Sequence, residues 1–303
     1  MTEAYIIDAA RTPRGIGKLG KGSLSEFHPG RLLATVLEEI QKRNDLVTQD
    51  IDDVVIGCSS QVGKQGSCVG RMAALDAGWD TSASAVTLDR FCGSGITSVN
   101  LAAANIMSGM DDLCVAGGVE MMSYTATLTS ERNNRTVDGG NLHLREIHPQ
   151  PHQGICADLI ATLEGFSREE LDALAVESQN RAQQAIAEGR FDRSLITVRN
   201  EDGSIALDRE EFPRPGTTLD TLASLPTVFS EFMPTPVDDG GETFTELVAR
   251  RYPDLEINHV HHAGNSSGVV DGAAALILSS KNYADKAGWK PRARIKAMAT
   301  VGG

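Results

Sequence analysis

The segment TLDRFCGSGITSVNLAAANIMSG, residues 87–109, holds the residues best placed to do chemistry. A β-like run ends near Leu88 and a helical pattern begins just past Cys92, so the pattern predicts a sulfur at a strand-to-helix turn. A helix amino-terminus carries partial positive charge and favours a nearby anion by about 0.3 to 1 kcal/mol. A free thiol has a pKa of about 8.5, and helix amino-termini are among the settings that lower it. Gly93 and Gly95 leave the sulfur approachable and let backbone amides face a developing oxyanion. Sulfur is a good acyl acceptor, so a thioester intermediate is the chemistry this pattern points to. A lone cysteine is more often a small inert hydrophobe, and location alone leaves that alternative open for Cys92. Cys58, Cys68, Cys114 and Cys156 lack such a setting and read as structural.

Other clusters carry weaker signals. His259, His261 and His262 in NHVHHAG have no cysteine or carboxylate set nearby in sequence to complete a tetrahedral metal site; they read as a loop, and no metal is expected. GIGKLG (Gly15, Gly17, Gly20) matches the letters of a dinucleotide fingerprint. Its context is wrong, because the preceding strand ends at Asp8 and the next helix waits until Pro29, so a flexible loop is expected. Asp238-Asp239-Gly240-Gly241 reads as a solvated loop.

The elements that must hold Cys92 can be read from periodicity. Strands are expected at Ala4 to Asp8, Asp53 to Cys58, Ala85 to Leu88 and Asp112 to Ala116, the last closed by Gly117 and Gly118. Helices are expected from Pro29 to Arg43, with Leu32, Leu33, Val36, Leu37 and Ile40 inward, and from Val69 to Ala77. A third runs from Ser94 to Met107, with Ile96, Val99, Ala103, Ile106 and Met107 sharing a face. Strand–helix alternation of this kind implies parallel pairing in an α/β layered sheet. After Ser123 the pattern changes. Residues 124–153 are polar and without period, and a helix then runs from Ser167 to about Ala187, opened by a Ser167-x-x-Glu170 capping box and ended by Gly189. About 70 Pro-, Gly- and acid-rich residues follow. Periodic order returns with a buried strand at Gly272 to Ser280, a short helix, and a strand-like stretch at Ala293 to Val301. The region 124–258 therefore reads as an insertion between strands of one sheet.

Composition sets the outer limits. The chain has 303 residues, 41% apolar and 23% charged, which suits about two globular domains. No apolar stretch approaches the roughly 20 residues that cross a bilayer, and the start MTEAYIIDAARTP does not read as a secretory signal. A cytoplasmic protein with no membrane partner is the expectation. The five cysteines are odd in number and widely spaced, which points to reduced thiols. A formal charge of -13 disfavours a nucleic-acid partner, since a phosphate backbone repels that balance.

The stretch CGSG…AGGVEMMS, Cys92 to Ser123, resembles the acyl-cysteine motif of the thiolase family. AARTPRG near the start, GFSREELDALAVESQNRAQQAIAEGRF at 165–191 and AGNSSGVVDGAAALILS at 263–279 stand in thiolase order, so the resemblance covers essentially the whole chain. It implies an α/β fold, the layered αβα amino-terminal half of a thiolase with an inserted loop domain and the second half truncated. The implied divisions are residues 1–123, the inserted loop domain 124–258, a return to the first domain at 259–290, and the start of a second at 291–303. It also implies an acyl-CoA acyltransferase that cleaves 3-ketoacyl-CoA with CoA or runs the reverse Claisen condensation, as in fatty acid metabolism. Coenzyme A would be a co-substrate, with no permanently bound cofactor. Carried over residue by residue, Cys92 is the acylated nucleophile. His152 and Gln153 fall where the family's loop domain approaches the pantetheine, Arg214 and Thr221 where it meets the nucleotide end of CoA, and Ala263 and Ser267 where its AGN-x-SG turn contacts the pantetheine amides.

Departures from the family pattern bear on activity. His152-Gln153-Gly154 stands where acetoacetyl-specific members often carry His-Met-Gly, which puts short-chain specificity in doubt. The stretch between Tyr124 and Gln153 is shorter than usual, and the acidic segment Asp238 to Ile257 is longer. No Gly-His-Pro occurs and no cysteine follows Cys156. The family's second-half base and acid are thus missing, and such steps are worth typically 10² to 10⁴-fold each. Little turnover by these residues alone is the expectation. The alternative to an active acyltransferase is a non-catalytic or split-enzyme fragment that binds CoA or oligomerises. The resemblance further implies a homo-oligomer, dimer or tetramer, or a partner chain supplying the second half.

Overall fold

The computed structural model describes residues 2–128, 137–237 and 240–302; Asp238 and Asp239 of the acidic loop lie outside the described residues. Contacts divide the chain into two units: 1–126 with 191–212 and 269–303, and 127–190 with 213–268.

The first unit is a mixed sheet between helical layers. Its strands are β1 (Ala4–Arg11), β2 (Gly15–Ile16), β3 (Asp53–Gly57), β4 (Ser84–Leu88), β5 (Leu113–Met121), β8 (Val270–Ser280) and β9 (Ala293–Arg294), in the order β4-β3-β5-β8-β1-β9 with β2 beside β8. β3 pairs parallel with β4 and β5, in keeping with the strand–helix alternation of that stretch. β8 runs antiparallel to both β5 and β1, so the expectation of parallel pairing holds only on one side of the sheet. The reason is topological: β8 follows a long excursion rather than a short crossover helix, so nothing forces it parallel.

Side-chain alternation along the strands separates the two faces. Val54 and Ile56 of β3 pack with Leu32, Leu33, Val36, Leu37 and Ile40 of α1 (Pro29–Asn44) and with Val69, Ala73 and Ala74 of α2 (Val69–Asp76). Val55, between them, faces the other way, onto Ala102, Ala103 and Ile106 of α3 (Ser94–Ser108). The sheet is therefore covered on both faces, as in the αβα arrangement the resemblance implies.

Several details differ from the sequence reading. Ile96 is 73% exposed rather than inward. The buried line along α3 is Ser94, Ser98, Ala102 and Ile106, at i+4 steps, and Ile96 stands two residues out of step with it. β5 does not close at Gly117-Gly118 but runs on to Met121. A Cβ on Gly117 would lie 2.1 Å from the Ala274 carbonyl oxygen of β8, so that glycine marks a close backbone approach inside the sheet. The stretch expected as a strand to Val301 pairs only at Ala293–Arg294. GIGKLG is not simply a flexible loop, since Gly15 and Ile16 pair with Asp271 and Val270.

The second unit holds α5 (Leu142–Ile147), α6 (Gln153–Glu164), α7 (Arg168–Ala187), α8 (Leu219–Ala223) and α9 (Phe244–Ala249). The capping box that opens α7 is formed in both directions between Ser167 and Glu170. Its small core gathers Ile155, Val237, Phe244, Leu247 and Val248. The short helix α4 (Met122–Thr125), the pair β6 (Val198–Arg199) and β7 (Ile205–Leu207), and α10 (Lys281–Lys286) complete the first unit.

Candidate active site

Cys92 is held by a turn that fastens itself. The Phe91 amide donates to Asp89 Oδ1 at 2.7 Å, the Arg90 amide to Ser94 Oγ at 2.8 Å, and the Ser94 hydroxyl to the Phe91 carbonyl at 2.6 Å. Phe91 adopts φ 48°, a left-handed conformation that a bulky residue keeps only where its surroundings impose it. Gly93 is the cap residue and α3 starts at Ser94, so the sulfur stands at the amino-terminal mouth of a fifteen-residue helix. Among the described residues, no acceptor bonds the amides of Gly95 and Ile96. These free donors and the helix dipole favour negative charge beside the thiol.

Cys92 is exposed, and it lines a cavity of about 700 Å³ within the first unit. The cavity opens at the ends of β1, β3 and β5 and the beginning of β8, and Gly57, Cys58, Glu120, Phe91 and Gly95 contribute to its wall. Glu120 accepts from the Ser59 amide at 2.8 Å and from Gln65 Nε2 at 2.9 Å. Arg11 and Arg14, also in the wall, share the buried carboxylate of Glu210 at 2.6 and 3.0 Å. Burial pushes the Glu210 carboxyl up, but bonds from the Arg14 amide and from the Arg11 and Arg14 side chains hold it below the usual range.

The other cysteines are chemically different. Burial, aided by the nearby Glu120 charge, pushes the Cys58 thiol up to about 12. Burial and Asp111 push Cys114 up strongly, and burial raises Cys156. The sequence reading missed that Cys58 shares the cavity with Cys92, along with Arg11, Arg14 and Glu120. Its position at the end of β3 was legible, but not the side chain's approach to residues 34 positions later.

The six residues matched to CoA contacts lie in the second unit. His152 caps α6 by accepting from the Gly154 amide at 3.1 Å and stacks on Phe232 at 5.1 Å. Burial lowers its pKa, so the ring is neutral near pH 7. Gln153, the first residue of α6, is exposed. Arg214 is exposed, with its amide held by Gln179 Oε1 at 2.9 Å. Thr221 closes a capping box with Thr218 at the start of α8. Ala263 and Ser267 are exposed on the turn that follows the histidines. The structure brings Thr221 and Ala263 onto adjoining elements, because a Cβ on Gly264 would sit 2.5 Å from Leu222 Cδ2 of α8.

The histidines lie in a loop beside the Ala263 turn, as expected, and carboxylates from two helices hold that loop. His259 and His261 donate from Nδ1 to Asp158 at 2.6 and 2.7 Å, and His262 pairs with Asp172 at 2.7 Å. Among the described residues, no group of three or more His, Cys, Asp or Glu side chains is arranged to hold a metal ion. No helix among them is long and apolar enough to cross a membrane.

Residues 4–235 match the family described as "Thiolase, N-terminal domain". The chain belongs to the thiolase family. A beta-ketoadipyl-CoA thiolase of Escherichia coli is 37% identical over 319 residues, covering 100% of this chain and 72% of that protein. A 3-ketoacyl-CoA thiolase of Bacillus subtilis (strain 168) is 34% identical, again over 100% of this chain and 72% of that protein. The crystal structure of the Bacillus anthracis acetyl-CoA acetyltransferase superposes with a TM-score of 0.75 at 26% identity, covering 97% of this chain and 69% of that one. As a thiolase the protein is by family an acyl-CoA acyltransferase that uses coenzyme A as co-substrate, and the alternative of a non-catalytic or split-enzyme fragment is not favoured.

Proposed function

We propose that Cys92 is the residue that carries the acyl group. The supporting observation is its exposed thiol at the mouth of α3, facing a cavity of about 700 Å³ that can hold an acyl chain. In the first half-reaction the Cys92 sulfur attacks the thioester carbonyl, the carbonyl–sulfur bond to CoA breaks, and the Cys92 proton ends on the departing CoA thiol. Acyl transfer to Cys92 is the step these residues support.

The second unit is the place for the coenzyme: His152 and Gln153 with Ala263 and Ser267 toward the pantetheine, Arg214 and Thr221 toward the nucleotide. The solvent-exposed positions of Gln153, Arg214, Thr221, Ala263 and Ser267 support this reading. A cytoplasmic homo-oligomer, dimer or tetramer, fits the edge strand β4, which pairs only with β3 among the described strands. The apolar side chains of Ile96 and Leu101, exposed on α3, offer a surface for a partner segment supplying the family's second half.

The test is mass spectrometry after mixing the protein with acetyl-CoA. A gain of roughly 42 daltons that maps to Cys92 is the expected result, as covalent catalysis requires. An unmodified Cys92, or an adduct that survives Cys92→Ser, overturns the assignment.

A further inference from the structure

The segment that carries Ala263 is anchored by two carboxylates on neighbouring helices. Asp158 of α6, its side chain fully buried, accepts from His259 Nδ1 (2.6 Å), His261 Nδ1 (2.7 Å) and the amides of Val260 and His261 (both 3.0 Å). Asp172 of α7 accepts from His262 Nε2 at 2.7 Å and Asn265 Nδ2 at 3.0 Å. The Gly264 amide donates to His262 Nδ1 at 3.1 Å, so the ring carries its proton on Nε2 and is fixed as a donor to Asp172. Asn265 closes the turn on itself, accepting from the His262 amide at 2.8 Å and donating to the Val260 carbonyl at 3.1 Å. The amides of Val260, His261, His262, Gly264 and Asn265 are all hydrogen-bonded.

The same anchor reaches α8. Arg168 pairs with Asp172 at 3.5 Å, and its Nη2 donates to the carbonyls of Leu222 at 2.8 Å and Leu225 at 2.6 Å. Asp172 therefore bears on both the turn with Ala263 and the helix with Thr221.

We infer that Asp158 and Asp172, through His259, His261, His262 and Arg168, are positioning residues for coenzyme A. They hold the Ala263 turn and α8 in the ligand-ready conformation before the ligand arrives. This rests on the assignment of Ala263, Ser267 and Thr221 as coenzyme contacts. The chemistry favours it: buried carboxylates that accept several hydrogen bonds fix geometry more tightly than isolated contacts do. A flexible thiol ester arm gains affinity when the surface that receives it is already ordered. His259 and His261 spend Nδ1 on Asp158, so their contribution passes through the backbone they hold.

The experiment measures the calorimetric dissociation constant of CoA for wild type, His259→Ala, His261→Ala, His259→Asn and His261→Asn. Asparagine places an amide N–H near the position of histidine Nδ1 and can keep the bond to Asp158. Loss of a bond to a charged acceptor predicts about tenfold weaker CoA binding in the alanine variants, with the asparagine variants within about twofold of wild type. Asp172→Asn, followed with its unfolding midpoint, probes the second anchor and should also weaken CoA while the chain stays folded. In parallel, acetylation of Cys92 by phenyl thioacetate, which has no pantetheine, should proceed at one rate in all of these proteins. Alanine variants that bind CoA as wild type does, asparagine variants as weak as alanine, or a wild type with no affinity for CoA each overturn the inference. Failure of the phenyl thioacetate reaction in wild type would instead overturn the reading of Cys92.

Discussion

Gly57, the last residue of β3, lies so close beneath Ser94 that a Cβ added to it would stand 2.5 Å from the Ser94 carbonyl carbon. The first residue of α3 thus rests on the end of the strand, and the turn bearing Cys92 is set by that contact. Gly57→Ala cannot be absorbed by a flexible side chain, because the opposing atoms are backbone. Overpacking of this kind costs about 1 to 3 kcal/mol. The expected result is an unfolding midpoint lower by several degrees, roughly what that cost implies, and slower acetylation of Cys92. A midpoint equal to wild type, with normal acetylation, would show that the contact does not set the turn.

Cys58 and Cys92 line one cavity, yet they should react very differently. With its thiol pushed up to about 12, Cys58 is about one part in ten thousand thiolate at pH 8. Iodoacetamide at pH 8, followed by peptide mapping, should label Cys92 first and leave Cys58 and Cys114 unmodified until the protein is unfolded. Labelling of Cys58 that keeps pace with Cys92 would contradict this ordering.

The parts legible in the sequence were those fixed by local physics. The inward face of α1, the capping box at Ser167 and the strand-to-helix turn at Cys92 each depend on residues within a few positions of one another. The parts that were not legible depend on partners far along the chain. Gly117 reads as a strand terminator until Ala274 is seen against it. The hydrophobic repeat of α3 did not show which residues would face the sheet, and Ile96 was misplaced for that reason. The loop of His261 and His262 was legible but its anchors were not, because their carboxylates lie 103 and 90 residues away. The shared cavity of Arg11, Cys58, Cys92 and Glu120 is likewise a product of sheet order, which periodicity does not encode.

The cap of α7 offers a test confined to the second unit. The Ser167 hydroxyl accepts from the Glu170 amide at 3.2 Å, and Glu170 returns a bond to the Ser167 amide at 2.9 Å. Ser167→Ala should destabilise the chain by about 1 kcal/mol, the usual worth of such a cap. Ser167→Asp should recover most of it, since aspartate caps as well as serine. Chemical denaturation of the three proteins measures this, and an alanine variant as stable as wild type would mean the first turn of α7 is held by other contacts.

Acid should release the anchor at Asp158. Burial raises the tendency of this carboxyl to stay protonated, but bonds from His259, His261 and the Val260 and His261 amides outweigh it and hold its pKa below the ordinary 3.8. A carboxyl with a depressed folded-state pKa contributes stability above its unfolded value and loses it as pH falls through the folded one. Asp158→Asn should therefore be least stable relative to wild type at pH values above 3.8, with the gap narrowing as pH drops below that value. Unfolding midpoints of the two proteins, taken in steps from about pH 6 to about pH 2.5, measure the gap directly. A gap of constant size across that range would mean that the charge on Asp158 does not stabilise the fold, and that the amide and imidazole donors bind a neutral carboxyl equally well.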